Sequence, residues 1–415
     1  MIYKDFYDLI RKTVTAFNAK YEGKSFNDFY ENTSLENIYN DLVSNTGIVK
    51  DDESKKTLIN FFSILKRDIE KNKSFQFYKD KIDTINYPLK NLLLKGVPGT
   101  GKSYIINEII KKDLELKNKP ENVLRINIHT ASSNADLMQG IAITTELNQV
   151  AYKEKQGLIF EHIRKACFSP YEPFVLVLEE IQENSLNELI GDLIYLCEDK
   201  KRAKIQELNS SIFTQDEYEY QKLIELYLEN LDNPHFVEIP NLVSNGENRK
   251  LIMPDNLFIF CTSNYRDDKK VIEDNLLRRF DVIEVYPQYK DGFVSDDVSE
   301  FLDDLNNKIH TIFEKQHETH PDRFLIGHAN WLDVEKIGDD KFYKSLLKVV
   351  VEFKEIREVD YKIIAKLFED LKTKYKLEIE YGDYKSLVNS LQKKVYSDIL
   401  NRNEPKQDEQ SSSQE

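Results

Sequence analysis

Short apolar runs alternate with segments of helical spacing from about residue 88 onwards. Each run is five or six residues long and ends at a polar loop, which is typical of strands buried on both faces. Alternation of this kind predicts an α/β fold, a parallel sheet with helices on both faces. The predicted strands are 91–95, 123–128, 174–178, 257–262 and 282–286.

The stretch between the third and fourth predicted strands is longer than a simple connection. An apolar face over 186–196 predicts a helix, and the glutamate-rich stretch of roughly 200–235 is interpreted as a polar insertion. Residues 236–253 are predicted to form a hairpin, because Asn245-Gly246 is a favoured two-residue turn.

The flanking segments have helical spacing and no strand pattern. We therefore predict a helical N-terminal domain over 1–87, the α/β domain over 88–289 and a smaller helical domain over 290–400. Residues 401–415 are polar and are predicted to be a disordered tail.

Composition narrows the class of protein. The 415 residues are 40% hydrophobic, enough for sizeable cores, and no apolar run approaches the roughly 20 residues that a membrane span needs. The N-terminus is too charged for a secretory signal, so we expect a cytoplasmic protein without a membrane partner. A formal net charge of −15 argues against an extensive nucleic-acid-binding surface, but not against DNA contact at a local site. Cys167, Cys197 and Cys261 lie far apart in apolar segments and are interpreted as reduced core residues.

The first predicted strand runs directly into a glycine-rich loop that opens a helix. Strand, loop and helix in this order form the context of a phosphate-binding loop, in which backbone N–H groups and the helix start surround an anion. Lys102 is expected to neutralise the outer phosphates, and the Ser103 hydroxyl to coordinate Mg²⁺. The sequence predicts a nucleoside triphosphate with Mg²⁺ as the ligand. The predicted nucleotide-binding residues are Gly96, Val97, Pro98, Gly99, Thr100, Gly101, Lys102, Ser103 and Tyr104.

Two acids follow the third predicted strand, at the edge where parallel sheets bind ligands. Glu179 is a candidate for the Mg²⁺ shell, and Glu180 a candidate for orienting and polarising the attacking water. Taken alone, such a pair is more often simply exposed at a strand end. The phosphate loop in the same sheet favours the catalytic interpretation.

Three further side chains are candidates for the same chemistry. Asn264 ends the fourth predicted strand, where its amide could contact the attacking water or the terminal phosphate, although an asparagine that only forms a turn fits equally well. Arg278 and Arg279 precede the last predicted strand. Paired arginines are usually solvated, but a guanidinium can also stabilise a transferring phosphate, including one bound by a neighbouring subunit.

Together these segments resemble the AAA+ ring ATPases and, within them, the McrB type, the motor subunits of modification-dependent restriction systems. The narrower resemblance rests on four segments. Residues 128–140 resemble a family segment in which a strand is followed by His and later by Gly, and residues 156–159 resemble the start of a helix that follows a Gly. Residues 180–193 are similar to the family's Glu-Ile-Asn-Arg stretch and the helix after it, and residues 324–328 contain Ile-Gly-His. The resemblance covers roughly 88–335. It implies a homo-oligomeric ring, commonly a hexamer, with a separate McrC-like nuclease, DNA contact through the complex and a helical lid over 290–400.

The chain departs from the family pattern at several positions. Glu179 stands where the family has Asp, so we expect altered reach toward Mg²⁺ and slow or retuned hydrolysis. Gln182-Glu183 stands where the family has Asn-Arg. The family's Asn-x-x-Asp pair, a candidate determinant of base preference, corresponds here to Asn264 and Asp267, but Asp268 stands where an arginine is expected. ATP and GTP therefore both stay open. His328 is more often a structural residue in such a position than a catalytic one.

The leading interpretation is an AAA+ nucleoside triphosphatase that acts as the motor of an anti-phage restriction complex. One alternative is a MoxR-like AAA+ chaperone that remodels a protein partner. The other is a nucleotide-gated assembly module in which the Glu179 substitution leaves binding with little turnover. Nothing in 1–85 matches the DNA-binding domain of the best-known members.

Overall fold

A computed structural model of the chain describes residues 87–146, 149–170, 172–205, 217–230, 233–243, 248–264, 274–289, 294–318 and 320–400. Several predicted features lie outside these residues: the helices up to residue 86, the turn at Asn245-Gly246, Asp267, which is paired with Asn264 in the base-preference motif, and the tail 401–415. The predicted domain boundaries stay predictions.

The centre of the fold is a five-stranded sheet with the order β2-β5-β8-β1-β9. β2 and β8 pair in parallel with the two sides of β5, which confirms the predicted α/β class. All five predicted strands are present with boundaries shifted by up to two residues. The strands are β1 Asn91–Gly96, β2 Val123–Asn127, β3 Gln139–Glu146, β4 Gln149–Gln156, β5 Phe174–Glu179, β6 Val237–Ile239, β7 Arg249–Leu251, β8 Leu257–Asn264 and β9 Asp281–Glu284.

Two antiparallel hairpins accompany this sheet. β6 and β7 form the predicted hairpin. The hairpin of β3 and β4 was not predicted. Its register sets Ile143 opposite Tyr152, and both side chains are exposed.

Helices flank the sheet, as the alternating pattern predicted. The Gly-led helix begins after Gly157, and the helix after the acids breaks at Gly191 into a 3₁₀ segment, Gly191–Cys197. The helices are α1 Lys102–Glu108, which continues as the π-turn Ile109–Asp113, α2 Asn134–Leu137, α3 Leu158–Phe168, α4 Leu186–Ile190, α5 Glu217–Asn230, α6 Asp274–Leu277, α7 Asp296–Lys315, α8 Asp340–Val351, α9 Tyr361–Lys374 and α10 Tyr384–Leu400.

The interpretation of 200–235 as a polar insertion was wrong in its second half. α5 places Tyr220, Leu223, Ile224 and Tyr227 in the core, at the helical spacing i, i+3, i+4 and i+7. The ring of Tyr220 packs edge-on against Phe160 with centroids 6.1 Å apart. Burial of this stripe outweighs the acidic composition of the rest of the segment.

The described residues separate into two compact units. One unit holds residues 87–93 and 274–282 and the described residues of Ser103–Ser263. Its core contains the inner strands and all three cysteines, which are buried free thiols as predicted. Burial raises the pKa of the Cys197 thiol to about 11, so that thiol is unreactive at neutral pH.

The other unit holds Leu94–Lys102, Asn264 and the described residues from Ile283 onwards. α7, α8, α9 and α10 surround a separate core. Phe301, Trp331 and Phe342 lie at its centre, with the Phe301 and Phe342 rings 4.9 Å apart in an edge-to-face arrangement. Across the residues described, no helix combines the length and apolar character that a bilayer crossing requires.

Candidate nucleotide site

The loop after β1 turns tightly on two glycines. Gly99 and Gly101 have φ values of +77° and +83°, a left-handed conformation that side-chain-bearing residues rarely adopt. The Thr100 hydroxyl donates to the Val97 carbonyl at 3.0 Å and fixes the middle of the turn. The predicted glycine-dependent loop is therefore formed.

Lys102 directs its ammonium group into this loop. Nζ donates to the carbonyls of Gly96 at 3.0 Å and Val97 at 2.9 Å, and to Oδ1 of Asn264 at 2.9 Å. The side chain is buried, so its charge acts at reduced dielectric. The structure brings together two predicted residues that are 162 positions apart in the chain.

Ser103 and Tyr104 follow Lys102 in the first turn of α1, and both are exposed. The Ser103 hydroxyl is thus accessible to a ligand. Tyr104 presents 57% of its surface to solvent, so it is available for contact with a bound molecule. Their roles in nucleotide binding stay predictions.

The predicted Ile-Gly-His segment lies directly against the phosphate loop, inside the unit that contains both. The Ala329 amide donates to the Gly99 carbonyl at 3.0 Å. A Cβ atom on Gly327 would lie 2.3 Å from the Pro98 carbonyl oxygen, so only glycine allows this approach. The His328 ring packs beside Gly101, and burial lowers its pKa, which favours the neutral imidazole.

Glu180 is held by contacts to both its backbone and its side chain. It follows β5 in a left-handed conformation with φ 58° and ψ 44°, which costs a non-glycine residue about 1 kcal/mol. Its amide donates to the Thr262 hydroxyl at 3.2 Å, and Gln182 donates from Nε2 to Oε2 of Glu180 at 2.6 Å. Backbone strain of this kind concentrates at functional positions. The sequence showed Gln182 only as a departure from the family pattern, not as a partner of Glu180.

Glu179, the last residue of β5, forms an ion pair that the sequence did not predict. Oε1 lies 2.5 Å from Nη1 of Arg125 on the neighbouring β2. Arg125 carries no sequence signal of its own, because its importance depends on which strand lies beside β2.

The two candidate arginines differ in their surroundings. Nη2 of Arg279 lies 3.0 Å from Oε1 of Glu198 in the same subunit, and the Arg279 side chain is 18% exposed. The pKa of the Glu198 carboxyl is lowered, first by its hydrogen bond with Lys201 and further by Arg279. Arg278 is exposed. Of the two, Arg278 is therefore the more accessible residue.

The donor set suits magnesium bound together with phosphates. Within the described part of the chain, no cluster of three or more His, Cys, Asp or Glu side chains could hold a metal by itself. Mg²⁺ commonly binds through one or two protein oxygens, retained waters and substrate phosphates. The Ser103 hydroxyl and the Glu179 carboxylate provide hard oxygen ligands of that kind.

Comparison with known families agrees with the fold and the loop. Residues 91–280 match the AAA domain of the dynein-related subfamily. The matched residues include the phosphate loop and strands β1, β2, β5 and β8 of the central sheet, which together have the fold of a P-loop NTPase. AAA+ domains in general bind nucleoside triphosphates with Mg²⁺ and hydrolyse them.

The resemblance to the McrB type is confirmed as well. The chain is 24% identical over 225 residues to the type IV methyl-directed restriction enzyme EcoKMcrB subunit of Escherichia coli strain K12. The match covers 54% of this chain and 40% of that relative, so the two share less than half of the relative's length.

Two solved structures also overlap with the chain, at low TM-scores. C. elegans PCH-2 has a TM-score of 0.28 and 12% identity over 78% of this chain and 68% of its own. AMPPCP-bound DnaA from Aquifex aeolicus has a TM-score of 0.24 and 14% identity over 78% of this chain and 93% of its own.

Proposed function

We propose that the chain is a McrB-type nucleoside triphosphatase, the motor subunit of an anti-phage restriction complex. The observation that carries the proposal is the similarity over 225 residues to the methyl-directed restriction subunit, in a chain whose phosphate loop is formed. The contact of the Ile-Gly-His segment with that loop supports it, since this segment was one of the four that suggested the McrB type.

In this proposal residues 96–103 bind the triphosphate of ATP or GTP. Lys102 exchanges its carbonyl partners for phosphate oxygens, and Asn264, already bonded to Nζ, senses the terminal phosphate. Tyr104 contributes contact area at the helix start. The neutral His328 positions the loop without adding charge to it.

The acids at the end of β5 take the remaining roles. Ser103 and Glu179 hold Mg²⁺, which when bound offsets the negative charge of the phosphates. Glu180 accepts a proton from the attacking water, and Gln182 fixes the orientation of its carboxylate. Arg278 reaches the site of a neighbouring subunit, whereas the pairing of Arg279 with Glu198 favours a structural role for that residue.

The proposed assembly follows from the resemblance. We infer a homo-oligomeric ring, a hexamer by analogy, that acts with a McrC-like nuclease and contacts DNA through the complex in the cytoplasm.

The test is phosphate release by the purified full chain with Mg²⁺ and either ATP or GTP, with and without DNA at several salt concentrations. We expect turnover that DNA stimulates, with the stimulation falling as salt rises. Glu180→Gln should bind nucleotide but release no phosphate, and Lys102→Ala should lose binding. Equal nucleotide affinity of Lys102→Ala and the parent would refute the site.

Two outcomes would redirect the proposal. Stimulation by a protein client and none by DNA would indicate the MoxR-like chaperone. Nucleotide binding without phosphate release by either the parent or Glu180→Gln would indicate the assembly module, for which the pairing of Glu179 with Arg125 gives a specific reason.

A further inference from the structure

Arg125 joins two elements of the sheet-containing unit. From β2, its Nη1 lies 2.5 Å from Oε1 of Glu179 on β5, and its Nη2 donates to Oδ1 of Asn107 on α1 at 2.5 Å. The register pairs Asn127 with Glu179, so Arg125, two residues earlier, projects from the same face of the sheet. One planar guanidinium thus bridges a carboxylate and a helix side chain.

This bridge restricts the longer side chain of Glu179. A glutamate has one more rotatable bond than the family's aspartate, so an unrestrained carboxylate would sample more positions. The guanidinium presents its donors in a fixed fork, which orients one carboxylate oxygen and leaves the second available. The side chains of Arg125 and Glu179 are 33% and 22% exposed, so solvent screens the pair only in part.

The bridge also relates Glu179 to Ser103. Asn107 follows Ser103 by four residues on α1, so the two side chains share one face of that helix. Because Arg125 bonds both Asn107 and Glu179, it holds the acid against the helix whose first turn carries the serine. These are the two oxygen ligands assigned to magnesium above.

We propose that Arg125 is a positioning residue for magnesium. Glu179 stands where the family has the shorter aspartate, and Arg125 holds its carboxylate in one position. Arg125 thereby sets the Mg²⁺ concentration at which nucleotide binds tightly. This inference rests on the proposed nucleotide site. Partners of metal ligands commonly change metal affinity by about 10- to 100-fold when they are removed.

The experiment is a Mg²⁺ titration of the binding of a fluorescent, non-hydrolysable ATP or GTP analogue to the full chain. The half-saturating Mg²⁺ concentration should rise about tenfold in Arg125→Ala, and by less, in the same direction, in Asn107→Ala. Adding Arg125→Ala to Glu179→Gln should produce no further rise, because the arginine acts through that acid.

Arg323→Ala is the matched control, since Arg323 pairs with Glu318 at 3.1 Å and its side chain is also 33% exposed. It should leave the Mg²⁺ titration unchanged. Arg125→Lys retains the positive charge but cannot bridge both oxygens, so it should behave like Arg125→Ala. If Arg125→Ala fails to fold, as thermal unfolding would show, Arg125→Lys and Asn107→Ala provide the test.

The outcomes separate this inference from the proposed function. If the parent binds nucleotide in a Mg²⁺-dependent way and the Arg125 variants match it, or need less Mg²⁺, the positioning role is wrong and the nucleotide site stands. Additive effects of Arg125→Ala and Glu179→Gln would overturn the role too. If the parent binds no nucleotide at any Mg²⁺ concentration, both proposals fail.

Discussion

The contact between Gly327 and the phosphate loop makes Gly327→Ala an informative substitution. A Cβ atom at this position would lie 2.3 Å from the Pro98 carbonyl oxygen and 2.5 Å from the Gly99 carbonyl carbon. Both neighbours are backbone atoms of the loop, so no flexible side chain can move aside. The φ angle of Gly327 is not in the left-handed region, so the expected effect comes from lack of space alone.

The size of the effect follows from these distances. Real Cβ contacts do not fall below 3.0 Å, so the loop and the Gly327 segment must separate by about 0.7 Å, the difference between 3.0 and 2.3 Å. Overpacking of this kind costs about 1–3 kcal/mol. If the displaced loop must return to its position to bind phosphate, that cost weakens nucleotide affinity by roughly 5- to 150-fold, since 1.4 kcal/mol corresponds to a factor of ten.

The assay is a fluorescence titration with a nucleotide analogue, together with thermal unfolding to establish that the variant is folded. Gly382→Ala is the control, because an added Cβ there meets nothing closer than the Ser386 hydroxyl at 3.8 Å and φ is not left-handed. The control should bind like the parent. An unchanged dissociation constant for a folded Gly327→Ala would show that the loop's position against this segment does not govern nucleotide binding.

Further predictions concern the two arginines and one buried histidine. Arg278→Ala should lower the rate of hydrolysis in the assembled protein and leave thermal stability unchanged. Arg279→Ala, which breaks the pair with Glu198, should lower the free energy of unfolding by up to about 1 kcal/mol. The reverse pattern would exchange the roles assigned to the two arginines. Burial lowers the pKa of His162 from 6.5 to about 4, so the unfolded chain binds a proton between these pH values that the folded chain does not. Stability from this group is full above pH 6.5 and decreases as the pH falls toward 4, by roughly 3 kcal/mol. In chemical denaturation at several pH values, His162→Gln should flatten this loss; parallel curves for parent and His162→Gln would contradict the assignment.

Much of the sheet could be predicted because its strands are short apolar runs, and the inner strands β1, β5 and β8 are buried on both faces, whereas the edge strand β9 is exposed. Two elements could not be identified in the same way. The β3–β4 hairpin exposes Ile141, Ile143, Val150 and Tyr152, so its apolar residues alternate but do not mark a core. In α5 the buried stripe is interrupted by acids, and composition alone hid a periodicity that the spacing of Tyr220 and Tyr227 could have revealed.

The residues of the candidate site likewise divide into those that their spacing in the sequence predicts and those that it does not. The phosphate loop is local: its glycines, Lys102 and Ser103 are consecutive, so their spacing in the sequence is enough to predict the turn. The contact of Lys102 with Asn264 follows from the parallel strand order. Arg125 could not be found in this way, because its contact with Glu179 depends on the register between β2 and β5.

Three charged side chains assigned to the nucleotide, the metal and the attacking water are each bonded to a polar group of the same chain. Lys102 contacts Asn264, Glu180 accepts from Gln182, and Glu179 pairs with Arg125. A ligand that engages such a group exchanges one hydrogen bond for another, so the net change per contact is small compared with the cost of leaving a buried charge unpaired. Removing one of these partners therefore alters the orientation and affinity of the group it holds and leaves the fold largely intact. For that reason, the neighbours of the catalytic candidates offer sharper tests of the site than the candidates themselves.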